Sequence, residues 1–315
     1  MSVVYKRDAG SLVNTKGSIL KVLAYFSMFE YPLTRAEIRK YLPPGPAPDD
    51  FDTALEELVT DGATFMMNEF YALQNDLALV KRRKEGNQRA AQLLPKAMKI
   101  GQFLSQFPYV RAIGISGSLS KMYADEKADI DFFIITQADR LWIARTFMHI
   151  FKKFTFLTGR QHLYCMNYYL DEKALQLANQ NIYTAIETVT LIPAGGTAMP
   201  DFFMANEWVN EWFAGYNADN HHAKEKARKS WLKQMAEWLL NNKAGNRLDD
   251  YLMKLTTRRW QRKKQRGVRN EEGKAMDLVT GKHFARSNPG MFQERLLMRY
   301  SEILNGMKKR YPKYF

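Results

Sequence analysis

Residues 112–136 read AIGISGSLSKMYADEKADIDFFIIT. One apolar run ends at Gly117-Ser118. A second opens with Asp129-Ile130-Asp131, eleven residues after Ser118. This predicts a strand, a Gly-Ser turn, a short helix or loop, and a second strand. Side chains at i and i+2 share one face of a strand. Ile130 is therefore expected in the core, with Asp129 and Asp131 pointing out of it together. Two adjacent carboxylates repel each other. A hard divalent cation relieves that repulsion, and Mg²⁺ bridging to phosphate is the commonest occupant of such a pair.

The surrounding chain has 315 residues, enough for two or three domains. Its hydrophobic fraction is 46% and its aromatic fraction 13%, which excludes a disordered composition. The net charge is +14, a balance that favours polyanions such as nucleic acid, nucleotides or an anionic surface. The single cysteine, Cys165, excludes an internal disulfide framework, sits in an apolar run as an inert thiol, and fits a reducing cytoplasm. No apolar run approaches the roughly eighteen residues of a membrane span, so no membrane partner is expected. The N-terminus lacks an apolar signal-peptide core. The histidines are His149, His162, His221, His222 and His283. None has zinc-ligand spacing with the lone cysteine.

Residues 1–15 read as a loose lead-in. Three helices follow, over 16–29, 35–42 and 51–61, the second opened by the capping box Thr34-Arg-Ala-Glu37. The run ATFMMNEFYALQ then reads as a hairpin around Asn68-Glu69. Together they make a winged helix-turn-helix. Its third helix carries Asp52, Glu56, Glu57 and Asp61 with no Lys or Arg, and would repel DNA phosphates. A protein-packing role is the better expectation. Residues 76–107 read as two helices, the second beginning at Pro95. Beyond Ser116 and the opening stretch come a helix over 139–158, a strand over 162–170 and a helix over 172–192. Pro193, Gly195 and Gly196 then mark a domain end. Residues 200–315 read as almost wholly helical. Trp231, Met235, Trp238 and Leu239 form a stripe expected in the core.

With those residues in view, the stretch around Gly117-Ser118 and Asp129-x-Asp131 resembles the DNA polymerase beta-like nucleotidyltransferase superfamily. The resemblance covers mainly residues 95–195. It implies an α+β fold: a small mixed-sheet nucleotidyltransferase domain over 76–196, flanked by the winged-helix-like domain over 1–75 and a helical basic domain over 197–315. It also implies that a nucleoside triphosphate rests its phosphates on the Gly-Ser turn. Gly117 admits close backbone approach, Ser118 adds a hydroxyl, and Lys121 reaches an outer phosphate oxygen. Asp129 and Asp131 would hold Mg²⁺ (or Mn²⁺) while a nucleoside monophosphate passes to an acceptor and pyrophosphate leaves.

The superfamily usually has a third carboxylate on a later strand. The matching position here is Asn167, which can ligate a metal through oxygen but cannot act as a base. Asp171, four residues on, is the nearest carboxylate. A catalytically impaired sensor or adaptor therefore stands beside the enzyme reading, with a transcription regulator third. A separate signal lies in residues 254–269, KLTTRRWQRKKQRGVR, which hold eight cations and no acid. Arg258, Arg259, Trp260, Arg262, Lys263 and Lys264 are candidates to bind RNA or another polyanion.

Overall fold

The computed structural model describes residues 14–45, 48–157, 159, 161–214, 230–269, 273, 278–287 and 290–315. His221, His222 and most of the 1–15 lead-in lie outside them. The chain begins with α1 (Thr15–Ser27), β1 (Leu33–Thr34), α2 (Arg35–Lys40), α3 (Pro48–Thr60), β2 (Phe65–Met67) and β3 (Phe70–Ala72). The expected capping box is present. Thr34 Oγ1 accepts from Glu37 N at 3.3 Å, and Glu37 Oε2 accepts from Thr34 N at 2.9 Å. The three strands form an antiparallel sheet in the order β1-β3-β2, and Asn68 takes a left-handed conformation in the hairpin turn.

Next comes α4 (Leu77–Leu104), one continuous helix of 28 residues with Pro95 inside it. The expected break at Pro95 does not occur. Ala90, Ala97 and Leu104 are fully buried on either side of it, so packing along the whole length holds the helix through the missing hydrogen bond. Arg83 fastens α4 to the N-terminal elements. It is 5% exposed, bonds Glu37 Oε1 at 2.7 Å, and lies 3.8 Å over the Tyr31 ring.

The central sheet is mixed and six-stranded, in the order β7-β4-β5-β6-β9-β8. Its strands are β4 (Val110–Ser116), β5 (Asp131–Thr136), β6 (Cys165–Asp171), β7 (Ile192–Gly196), β8 (Leu278–Thr280) and β9 (Phe284–Ser287). The β5–β6 pair is parallel and the other pairs are antiparallel. Parallel neighbours need a long crossover, which here contains α5 (Leu141–Phe156). The fold is thus α+β.

Two expectations about this sheet need correction. Pro193, Gly195 and Gly196 belong to edge strand β7, where a proline is tolerated, and not to a connecting segment. The C-terminal third is also not wholly helical, because β8 and β9 extend the sheet past β6. The remaining helices are α6 (Ile182–Thr190), α7 (Met199–Ala205), α8 (Trp231–Leu240), α9 (Lys243–Gln265) and α10 (Phe292–Arg310). One apolar cluster joins Leu20, Phe51 and Leu58 to Ile186, Val209, Leu304 and Tyr314, so it crosses both expected domain boundaries. The stripe expected in the core on α8 is exposed: Trp231 68%, Met235 54%, Trp238 80% and Leu239 63%. Among the described residues, no helix is long and apolar enough to cross a membrane.

Candidate active site

Strand β4 ends at Ser116, which pairs with Asp131 at the start of β5. Gly117 then turns with φ +68°, and a single 3₁₀ turn covers Leu119–Lys121. Only glycine fits at 117. A Cβ there would lie 2.4 Å from Asp131 Oδ2. The turn is fixed from several sides. Ser120 Oγ donates to Gly117 O at 2.9 Å, and Tyr31 OH donates to Lys121 O at 2.6 Å. Gly86 on α4 passes close underneath, its carbonyl accepting from Ala124 N at 3.1 Å.

Asp131 and Asp129 remain neighbours with Ile130 fully buried between them, but β5 begins only at Asp131, so Asp129 and Ile130 precede the strand that was expected to carry them. Asp131 is half-buried and Asp129 exposed. Burial first, then the charges of Asp129 and Glu187, push the Asp131 carboxyl up to about 7. Asp129 and Asp131 offer the hard oxygen donors that Mg²⁺ takes.

A register irregularity in the β5–β6 pairing makes Phe132 face Met166 while Phe133 faces Tyr168. Asn167 is the extra residue, and the bulge turns its side chain to Asp131. Asn167 Nδ2 donates to Asp131 Oδ1 at 2.5 Å, and Asn167 Oδ1 accepts from Cys165 Sγ at 3.3 Å. Asn167 thus meets the aspartate as a donor. Asp171 does not complete the site. It pairs with Thr136 at the other end of β6, six residues from the Cys165–Asp131 pair, roughly 20 Å at strand rise. Its carboxylate is fully buried and committed to Asp139 N at 2.9 Å, Lys173 N at 3.0 Å and His283 Nδ1 at 2.8 Å. Asp139, Asp171 and His283 do converge, but these bonds clasp β6 to β9 and to the turn before α5.

The carboxylate that the sequence reading missed is Glu187 on α6. Its Oε1 accepts from Lys121 Nζ at 2.8 Å, and Lys121 Nζ also donates to Gly117 O at 3.0 Å. Lys121, expected to face phosphate, is therefore held between the turn and a carboxylate. The signal in the sequence was a lone acid in the apolar helix IYTAIETVT. Cys165 behaves as expected. Burial, with Asp131 alongside, pushes its thiol up to about 12.

Gly117, Ser118, Lys121, Asp131, Asn167 and Glu187 line one end of a cavity of about 610 Å³, whereas Asp129 is not part of its wall. Tyr25 and Tyr31 reach it from the N-terminal elements, Arg82 from α4, Tyr183 from α6 and Arg286 from β9. Two polar atoms in its wall, Tyr25 Oη and Arg286 Nε, have no hydrogen-bond partner. The size, the ten aromatic side chains of the wall and the polar groups that converge on it suit a small-molecule site.

The other binding candidates lie elsewhere. Arg258, Arg259, Arg262 and Lys263 line a separate shallow groove on α9, and Trp260 is half-buried with Lys263 Nζ 4.9 Å from its ring centroid. In the N-terminal elements the acids of α3 neutralise the cations of α2. Asp52 pairs with Arg35 at 3.0 Å and with Arg39 at 3.2 Å. Comparison with known proteins finds no significant match, whether among family models, curated proteins or solved structures.

Proposed function

We propose that this chain is a Mg²⁺-dependent nucleotidyltransferase that moves a nucleoside monophosphate from a nucleoside triphosphate to an acceptor hydroxyl. The observation that carries this reading is the Asp131 carboxylate held against the Gly117 turn, in the wall of an open cavity of about 610 Å³. The turn offers backbone N–H groups and the Ser118 hydroxyl to phosphate oxygens. Arg82 and Arg286 supply positive charge on other walls. Asp129 and Asp131 are the metal-holding pair, and bound Mg²⁺ would neutralise the triphosphate and favour ionisation of the acceptor hydroxyl. The acceptor oxygen bonds to the α-phosphorus as the bond to the bridging oxygen of pyrophosphate breaks. Glu187 stands where Asn167 fails and takes the acceptor's proton, once Lys121 turns from it to the phosphates.

One observation favours a second reading, a sensor that binds nucleotide without turnover. The neutral Asn167 caps Asp131, and Lys121 already occupies Glu187. A single experiment separates the two. The protein is incubated with each labelled triphosphate, Mg²⁺ and a cell lysate or total RNA, beside Asp129→Ala and Asp131→Ala variants. Transfer of label that both variants abolish supports the enzyme. A raised melting temperature with triphosphate and no transfer supports the sensor. If no triphosphate binds or reacts, both readings fail.

A further inference from the structure

Helix α8 is turned inside out. Its charged residues face the protein. Lys233 Nζ donates to Ser105 O at 2.9 Å and to Val110 O at 2.6 Å. Glu237 Oε1 accepts from Tyr109 N at 2.7 Å and from Arg111 Nη1 at 2.8 Å. Those bonds fix which way the helix faces, and they leave Trp231, Met235, Trp238 and Leu239 outward. Single exposed apolar side chains are ordinary. A stripe of four large ones on one helix is not.

Helix α9 follows α8 after a short turn and also exposes apolar residues. Its inner face carries Gly245 and Asp249, both buried, and the half-buried Leu252. Its outer face carries Leu248, Tyr251 (61% exposed) and Leu255 (51% exposed) at spacings of three and four. The same face then becomes cationic at Arg258, Arg259, Arg262 and Arg266, all exposed. The carboxylates of these two helices are tied down. Glu237 is bound as above, and Asp249 Oδ1 accepts from Trp142 N at 2.9 Å and Ile143 N at 3.0 Å. Asp250 is paired with Lys282. Each helix thus exposes an apolar stripe, and on α9 that stripe gives way to arginines toward the helix end.

We propose that the outer face of the α8–α9 hairpin docks on an anionic lipid bilayer surface. Trp231, Met235, Trp238 and Leu239 enter the interfacial layer, and Arg258, Arg259 and Arg262 sit on headgroup phosphates. Charge complementarity selects the occupant class, and the aliphatic residues select within it. Nucleic acid rewards arginine and stacked aromatics, but gives Met235, Leu239, Leu248 and Leu255 nothing to enter. A bilayer interface rewards all of these residues, with tryptophan at the headgroup level. Stable attachment to a surface takes two signals, and here an apolar stripe adjoins a basic one. The absence of a spanning run does not bear on this surface, because the hairpin lies on the bilayer and does not cross it.

The test uses the full chain with phosphatidylcholine vesicles, with and without phosphatidylglycerol, some carrying brominated acyl chains. Sedimentation with the anionic vesicles is expected, together with bromine quenching of tryptophan emission. Quenching should disappear in the Trp231→Ser/Trp238→Ser variant, whose sites are exposed and whose melting temperature should be unchanged. Arg258→Gln with Arg259→Gln and Arg262→Gln should weaken binding about a hundredfold. The proposal is overturned if anionic vesicles do not bind at low salt, or if they bind without quenching. It is equally overturned if the stripe instead drives dimerisation seen by light scattering, or if the arginines bind RNA and not vesicles.

Discussion

Gly117 has two reasons to be glycine, and both are physical. Its φ of +68° is strained for any other residue, and the space a Cβ would fill is taken by the Asp131 carboxylate. Gly117→Ala should therefore cost about 2–3 kcal/mol, combining backbone strain with local overpacking. Differential scanning calorimetry should show a melting temperature lower by about 5 °C or more. Triphosphate-dependent stabilisation should vanish as well. A variant that melts and binds like the parent would mean that the turn does not sit against Asp131.

Glu187 makes a different prediction. Under the proposed reaction, Glu187→Gln removes the proton acceptor while keeping the side chain's shape, and it releases Lys121 from its ion pair. Turnover should fall about a hundredfold or more, with triphosphate affinity unchanged or tighter. An unchanged rate in single-turnover assays would exclude Glu187 as the base. Gly117, Ser118, Asp129 and Asp131 were readable because they lie within fifteen residues and share one turn. Glu187 was not, because a helix 56 residues after Asp131 delivers it, and no local pattern encodes that approach.

His149 supplies a pH prediction. Burial, with Arg145, Lys152 and Lys153 nearby, holds its imidazole well below the usual histidine range, and its Nε2 has no hydrogen-bond partner. The folded protein therefore keeps it neutral where the unfolded chain would protonate it. Above about pH 6.5 neither state binds the proton and nothing is lost. Below that pH the unfolded state binds more protons, so stability falls by up to about 1.4 kcal/mol per pH unit. The Asp131 carboxyl, held up at about 7, works the other way over this interval, because the folded protein takes up its proton first. Urea midpoints should therefore rise from pH 7 to pH 5 more steeply in His149→Phe than in the parent. Equal slopes would place the acid sensitivity elsewhere.

At the level of elements, the α4 helix carries a penalty it does not need. Pro95 is exposed, lacks the N–H that would reach Ala91 O, and sits in mid-helix. The defect costs about 3 kcal/mol, of which up to about 1 is offset by the stiffer unfolded chain. Pro95→Ala should thus stabilise the protein by about 2 kcal/mol, visible as a higher urea midpoint at unchanged slope. No gain would show that the helix is kinked enough at Pro95 to have lost the bond already. The same element shows where pattern reading stops. The Asn68 hairpin, the Thr34 capping box and α1 follow from residues within one turn of each other. Pro95 reads locally as a break, and only the packing of Ala90 and Ala97 overrides it. Strands β8 and β9 were invisible for a related reason. They are three and four residues long; β8 pairs with β9, and β9 joins the sheet through β6, more than a hundred positions earlier. The α8 stripe misled in the opposite sense. Helical spacing identifies a face but not which side of it meets the protein, and Lys233 and Glu237 decided that.

Across the whole molecule, the last residues close the first core. Tyr314 is 3% exposed in the cluster that also contains Tyr25, Leu55, Ala185 and Ile186. Its hydroxyl bonds Asp61, its carbonyl lies against Gly17, and Tyr311 OH donates to Gly62 O at 3.1 Å. This one cluster also supports the cavity, because Tyr25 and Tyr183 stand in both. The three N-terminal helices, α6 and α10 should therefore unfold together and not as separate units. Tyr314→Ala deletes a buried ring and should cost about 3–5 kcal/mol. Its effect should reach the proposed triphosphate site, weakening ligand-induced stabilisation although Tyr314 does not line the cavity. Tyr314→Phe keeps the ring and should lose only the Asp61 bond, about 1 kcal/mol, with ligand stabilisation preserved. Thermal unfolding followed by far-ultraviolet circular dichroism and by tryptophan emission tests the coupling. Coincident transitions are expected in the parent and both variants. A Tyr314→Ala protein that loses only a minor early transition, with its triphosphate response intact, would show that the N-terminal elements fold apart from the sheet.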